Sequence, residues 1–298
     1  MEIGFIGLGR MGQAMAIRLA DRGHRVVAYD VSPAAVASVV ERGMEGVENM
    51  KQLTKALNLP RNIWMMVPAG KVVDEVIFNG LMPYLAAGDL LVDGGNSNYK
   101  DTIHRAQQLA EKDIRFMDVG TSGGIEGVRN GLSLMAGGSQ QDFRRLEPLL
   151  KDLAAENGYG LMGDTGAGHF VKMVHNGIEY ALLPSYAEGF ELLKEGPFEI
   201  DLGLVARIWN NGSVVRSWLL ELAQEVLESD SLKEVAAEVG GGQTGRWAAE
   251  AALEHEVPFT MLAAALSERY RSRRESFAAR LVAALRRGFG GHPVKKKR

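Results

Sequence analysis

The chain has no cysteine, which excludes disulfides, thiolate metal sites and a cysteine nucleophile. It has no dominant charge either: the formal net charge is −3, so no global basic field points toward nucleic acid. No apolar run reaches membrane-spanning length, and no internal repeat or low-complexity segment is present. A strand pattern that starts at Glu2 leaves no room for a signal peptide, so a cytoplasmic protein without membrane partners is expected. The one strongly basic run, Lys295-Lys296-Lys297-Arg298, reads as a solvated tail.

What is present is enough chain for two cores. At 298 residues, 46% hydrophobic and 24% charged, it fits an ordinary globular composition. Residues 1–30 read strand, turn, helix, strand. The apolar run Ile3 to Ile6 leads into Gly7-Leu8-Gly9-Arg10-Met11-Gly12, a helical pattern continues to Leu19, and Arg25 to Tyr29 is β-rich. Gly7 permits a tight turn, Gly9 lets a pyrophosphate approach the backbone, and Gly12 lets the helix pack on the strand. The phosphates would sit on the helix N-terminus. Asp30, at the end of the second strand, can accept from the ribose hydroxyls of NAD and would repel the 2′-phosphate of NADP. No arginine follows within Val31-Ser32-Pro33, so NAD is expected over NADP.

Further strands are predicted at 62–67, 89–93 and 115–119, with helices near 49–57, 70–79 and 98–111. Residues 132–137 and 159–162 add strands around a helix at 140–155. The alternation predicts a doubly wound parallel sheet over residues 1–165. Val67 and Pro68, at a strand end, are expected beside the cofactor with Leu8, Arg10 and Met11. Two polar glycine-rich loops, Asp93 to Ser97 and Gly120 to Gly124, also fall at strand ends, where such sheets bind ligands.

From residue 166 to 298 the pattern is helical. One long helix is predicted over 166–194, then helices at 201–209, 217–227, 246–254, 258–271 and 273–287, interrupted by glycines from Gly240 to Gly245. The arginines between Arg269 and Arg287 read first as a solvated face. Within the long helix, Lys172, His175, Asn176, Glu179 and Tyr180 have offsets of 0, 3, 4, 7 and 8 and so share an arc of roughly 140°. Apolar residues fill much of the remaining circumference, so the polar face is expected to line a cleft rather than meet bulk water.

Taken together these residues resemble the decarboxylating 6-phosphogluconate dehydrogenase family of the β-hydroxyacid dehydrogenase superfamily. The string Gly166-Ala-Gly-His-Phe-Val-Lys172-Met-Val-His175-Asn176-Gly-Ile-Glu179-Tyr180 matches the family's catalytic helix, and Asp93 to Thr102 and Ser122 to Gly127 match its substrate loops. Arg286-Arg287-Gly288-Phe289-Gly290-Gly291-His292 resembles a tail segment that reaches across the family's dimer, in its short form. One departure stands out: the family's Gln-Lys-Gly-Thr-Gly-Lys-Trp loop is Gly241-Gly242-Gln243-Thr244-Gly245-Arg246-Trp247 here, so a phosphate-binding lysine is replaced by Gly242.

The resemblance implies oxidative decarboxylation of 6-phosphogluconate to ribulose 5-phosphate, a step of the pentose phosphate pathway, with NAD and no metal. Lys172, as a neutral amine favoured by desolvation, takes the C3 hydroxyl proton, and Glu179 protonates C1 of the enediol. Asn176 and Asn96 orient the reacting hydroxyl and the nicotinamide. Ser122, Gly123, Gly124 and His175 hold the carboxylate end of the substrate. Tyr180, Thr244 and Arg269 hold its phosphate, with Arg286 and His292 supplied by the partner of a homodimer. Two alternatives remain: a β-hydroxyacid dehydrogenase for a small unphosphorylated acid, and a catalytically silent NAD-binding protein. Glu179, Tyr180, Arg286 and His292 argue against the first, and the intact Lys172, Asn176 and Glu179 against the second.

Overall fold

The computed structural model describes residues 1–229, 232 and 235–274. It divides into two compact units, Met1–His175 and Asn176–Arg298. The division falls inside one helix, whereas the sequence pattern changes at 165/166, just before that helix begins.

The first unit is built on an eight-stranded sheet: β1 (Glu2–Ile6), β2 (Arg25–Tyr29), β3 (Glu45–Gly46), β4 (Asn62–Met65), β5 (Leu90–Asp93), β6 (Arg115–Ser122), β7 (Leu132–Gly137) and β8 (Ala154–Gly163). Their spatial order is β3-β2-β1-β4-β5-β6-β7-β8. Six strands run parallel from β3 to β6, β7 is antiparallel to β6, and β8 is parallel to β7. The predicted doubly wound sheet is present. The reversal at β7 and the short β3 were not read from the sequence. β3 has two residues, too few for a periodic signal.

The strands are apolar on both faces because both faces are covered. Ile3 and Phe5 of β1 join one buried cluster with Met15, Leu19, Trp64 and Leu146. Ile6 faces the other side, with Leu53, Met65, Ile77 and Leu91. Each such side chain contributes roughly 1.5–3 kcal/mol on burial. The covering helices are α1 (Arg10–Asp21), α2 (Pro33–Val40), α3 (Met50–Ala56), α4 (Lys71–Asp74, continued by a π-helical stretch Glu75–Leu81), α5 (Tyr99–Ala110), α6 (Gly124–Asn130) and α7 (Gln140–Leu153). α2, also not read from the sequence, has a recognisable start: Ser32 accepts from the amide of Ala35, and Pro33 opens the first turn. The strand order reverses between β1 and β4, so the loops leaving their carboxyl ends diverge around a crevice.

α8 (Ala167–Glu195) is the predicted long helix and carries residues of both units. In the second unit, α9 (Leu202–Asn210) and α10 (Trp218–Glu228) pack with α8 around Phe190, Ala206 and Leu220. α11 (Thr244–Glu254) and α12 (Thr260–Ser272) follow. Asp201 and Ser217 cap α9 and α10 by accepting from the amides of Leu204 and Leu220. The predicted helix over 273–287 lies almost entirely outside the described residues.

Candidate active site

The crevice between β1 and β4 is lined first by the glycine loop. Gly7 has φ +92°, and a Cβ there would overlap the carbonyl oxygen of Met66. A Cβ at Gly12 would overlap the carbonyl oxygen of Gly7, so α1 sits as close to the turn as backbone allows. Gly9, by contrast, faces open space and begins α1 without a side-chain cap. The loop thus offers exposed backbone at a helix N-terminus, which fits a pyrophosphate. Leu8 is buried beneath it, while Arg10 is exposed and Met11 half-buried.

Asp30 is tied to this loop. Its Oδ2 accepts from the amide of Leu8 at 2.6 Å and its Oδ1 from the amide of Ser32 at 2.8 Å. Each oxygen retains a lone pair that a ribose hydroxyl can use. Val67 lies beside both this loop and the next: a Cβ at Gly7 would come 3.0 Å from its Cγ1, and one at Gly95 3.0 Å from its carbonyl oxygen. Pro68 and Asn96 are exposed at the same strand ends. The Asn96 loop is held from below by buried Asp93, which accepts from the Gly95 amide at 3.0 Å and the Ser97 hydroxyl at 2.6 Å. Beneath these loops Arg105, 2% exposed, donates to Asp74 and to the carbonyl of Gly70. Sequence reading missed Arg105 because an arginine on an amphipathic helix reads as solvated.

Along α8 the polar face turns inward. Lys172 and Asn176 are 6% and 7% exposed, while apolar Ile178 is 51% exposed. Lys172 Nζ lies 3.3 Å from His175 Nδ1, and His175 Nε2 lies 3.1 Å from the Ser122 hydroxyl. Ser122, Lys172 and His175 therefore form one chain of polar contacts, with Gly123 and Gly124 following Ser122 at the start of α6. The approach of β6 to α8 depends on Gly120, where a Cβ would overlap Lys172 Cβ and stand 2.8 Å from the Gly168 carbonyl oxygen.

The first turn of α8 is held by a residue that sequence reading did not single out. Asp118 of β6 is fully buried, and its two oxygens accept from the amides of Gly166 at 2.6 Å and His169 at 2.7 Å. Those are helix-start amides with no partner inside the helix, and a carboxylate there opposes the helix dipole favourably. Burial nevertheless pushes the Asp118 carboxyl above its ordinary value, against the pull of His169 and the two amide bonds. His169 Nδ1 meets the Thr102 hydroxyl at 2.7 Å. The one signal in the sequence was an aspartate inside an otherwise apolar strand.

In the second unit the predicted residues also meet. The Thr244 hydroxyl lies 3.0 Å from the Tyr180 hydroxyl and accepts from Asn176 Nδ2 at 3.2 Å. Arg269, on α12, is 8% exposed and stacks on the Tyr180 ring, with its guanidinium carbon 4.1 Å from the ring centroid. Arg269 thus departs from the solvated face expected for this arginine run. Among the described residues no carboxylate or other acceptor pairs with its guanidinium. Glu179 is half-buried. Arg286 and His292 lie outside the described residues.

Residues 2–176 match the family described as the NAD binding domain of 6-phosphogluconate dehydrogenase, and residues 168–297 the one described as the 6-phosphogluconate dehydrogenase C-terminal domain. The chain is 46% identical over 301 residues to an NAD(+)-dependent, decarboxylating 6-phosphogluconate dehydrogenase of Haloferax volcanii, covering 100% of this chain and 99% of that protein. It is 39% identical to the decarboxylating enzyme of Candida albicans, covering 90% of this chain and 55% of that longer protein. A solved Plasmodium falciparum 6-phosphogluconate dehydrogenase, studied with NADP+ and with 6-phosphogluconate, superposes with a TM-score of 0.86 at 28% identity. That likeness spans 100% of this chain and 66% of that one.

Proposed function

The chain belongs to the 6-phosphogluconate dehydrogenase family, and from that premise we propose that it converts 6-phospho-D-gluconate to D-ribulose 5-phosphate and carbon dioxide with NAD. The observation that carries the reading is the inward polar face of α8, with Lys172 and Asn176 buried and Glu179 on the same side two turns from Lys172. NAD, when bound, supplies the hydride acceptor. Gly7 to Gly12 would hold its pyrophosphate, Asp30 its ribose, and Val67, Pro68 and Asn96 its nicotinamide end.

Lys172 takes the proton of the C3 hydroxyl as C3 is oxidised. Withdrawn from bulk water and in contact with His175, which in turn meets Ser122, it holds that proton beside the reacting carbons. The resulting 3-keto acid has a carbonyl β to its carboxylate, and protonated Lys172 polarises that carbonyl as carbon dioxide leaves. The electron sink is internal to the substrate, so the step needs no metal. Glu179 then protonates C1 of the enediol. Asn176 orients the reacting hydroxyl. Ser122, His175 and the amides of Gly123 and Gly124 hold the carboxylate end. Phosphate recognition falls to Tyr180, Thr244 and Arg269. The guanidinium of Arg269, held against the Tyr180 ring beside Thr244, offers planar N–H donors that suit an anionic ligand.

We further propose a domain division at 165/166, a cytoplasmic location, and a dimer in which Arg286 and His292 complete the partner's phosphate site. Exposed apolar residues on α8, including Ile178, Leu182 and Leu183, support such an association. Among the described residues no helix is long and apolar enough to cross a membrane.

Assaying 6-phosphogluconate with NAD and with NADP, while following reduced cofactor and released carbon dioxide, tests the reading. Equal molar yields of both products with NAD are expected, and a lower kcat/KM with NADP because Asp30 repels the 2′-phosphate. Oxidation without carbon dioxide would favour an enzyme for a small hydroxy acid, and absence of turnover would overturn the assignment.

A further inference from the structure

The loop before α11 closes on Arg269. A Cβ built at Gly241 would overlap Arg269 Nη1 and stand 2.8 Å from Cζ and 3.3 Å from Nε. Neither flanking glycine has this property, since a Cβ at Gly240 or Gly242 meets nothing within 4 Å. Gly241 also has φ +154°, a conformation that side chains rarely adopt. The loop is fastened in this position to the end of α12. The Val239 amide donates to the Ser272 hydroxyl at 3.0 Å, and Arg273 Nε donates to the Val239 carbonyl at 2.6 Å. The loop backbone is therefore fixed beside the guanidinium, and a side chain at 241 would have to take the space that Arg269 occupies.

We propose that Gly241 is a specificity-determining position: its missing side chain makes the room in which Arg269 lies stacked on Tyr180, and so sets the affinity for the phosphorylated end of the substrate. This rests on the phosphate role given to Arg269 above. It also supplies a physical counterpart to the lost lysine. The position next to Gly242 admits a planar, oriented cation, and a guanidinium held in one plane presents its donors to phosphate oxygens without first being ordered. Gly241 acts through Arg269 and is a positioning residue. The group that a Cβ would meet is the end of a flexible side chain, so substitution should displace the guanidinium rather than unfold the protein.

The test is a cycle of Gly241→Ala, Arg269→Ala and the double variant, with Gly240→Ala as the control for stiffening the loop. Steady-state kinetics give KM and kcat for 6-phosphogluconate, calorimetry gives its Kd, and thermal melting monitors the fold. Gly241→Ala should raise KM and Kd for 6-phosphogluconate at least tenfold with KM for NAD unchanged. In the Arg269→Ala background it should add less than twofold, and Gly240→Ala should change neither constant. An unchanged Kd in Gly241→Ala, an equal effect with and without Arg269, or the same loss in Gly240→Ala would each overturn the proposal. A wild-type protein that binds 6-phosphogluconate without releasing carbon dioxide would refute the reaction and leave the cycle readable by calorimetry. A wild type that does not bind it at all would overturn both.

Discussion

In the proposed reaction Lys172 is the residue on which the chemistry turns, and its surroundings suit a base that must shed a proton again. Replacing it with methionine keeps the bulk and removes the amine. We expect kcat/KM for 6-phosphogluconate to fall by about 10²–10⁴-fold, the usual worth of a positioned acid-base group, with NAD affinity intact by fluorescence titration. Asp118 is a structural counterpart, holding two amides at the start of the same helix. Asn in its place can accept from only one of them. Asp118→Asn should therefore lower stability by roughly 1–3 kcal/mol in urea unfolding. The pH dependence has a definite sign. A carboxyl raised in the folded state contributes stability fully below its unfolded pKa, about 3.9, and loses it as pH climbs through the folded value. The wild-type advantage over Asp118→Asn should accordingly shrink as pH rises from 4 toward neutrality. An advantage that stays level or grows would contradict the burial argument.

Among elements, α8 is the one whose sequence said most. Five polar offsets predicted a shared face turned away from bulk water, and Lys172 and Asn176 are indeed buried. How closely the helix could approach the sheet was not legible, since that depends on a glycine in a different element. Gly120→Ala would place a methyl against Lys172 Cβ, and overpacking of this kind costs about 1–3 kcal/mol. We expect that loss in urea unfolding together with at least a tenfold drop in kcat, because the displaced group is the proposed base. A variant destabilised with kcat unchanged would show that Lys172 tolerates the shift. Arg269 illustrates the opposite failure of legibility: on its own helix it looked like one more solvated cation, and Tyr180 and Gly241, distant in sequence, close on it.

The whole molecule raises the question of how many chains make one site. Lys172→Ala and Arg286→Ala proteins, each inactive alone, should regain up to about a quarter of wild-type activity when mixed at equal amounts under conditions of subunit exchange. Half of the dimers are then mixed, and each mixed dimer has one site with both residues intact. Proven exchange with no recovered activity would assign the tail to its own subunit.

By itself the sequence determined the fold class, the glycine loop with Asp30, and the inward polar face of α8, because each is written in short-range spacing: G-x-G-x-x-G after a strand, or offsets of three and four on a helix. The reversed strand β7 and the burial of Asp118, Arg105 and Arg269 were decided only by the tertiary structure. Their states depend on partners tens of residues away, Gly166 for Asp118, Asp74 for Arg105 and Tyr180 for Arg269, and local periodicity carries no information about a neighbour that only folding supplies.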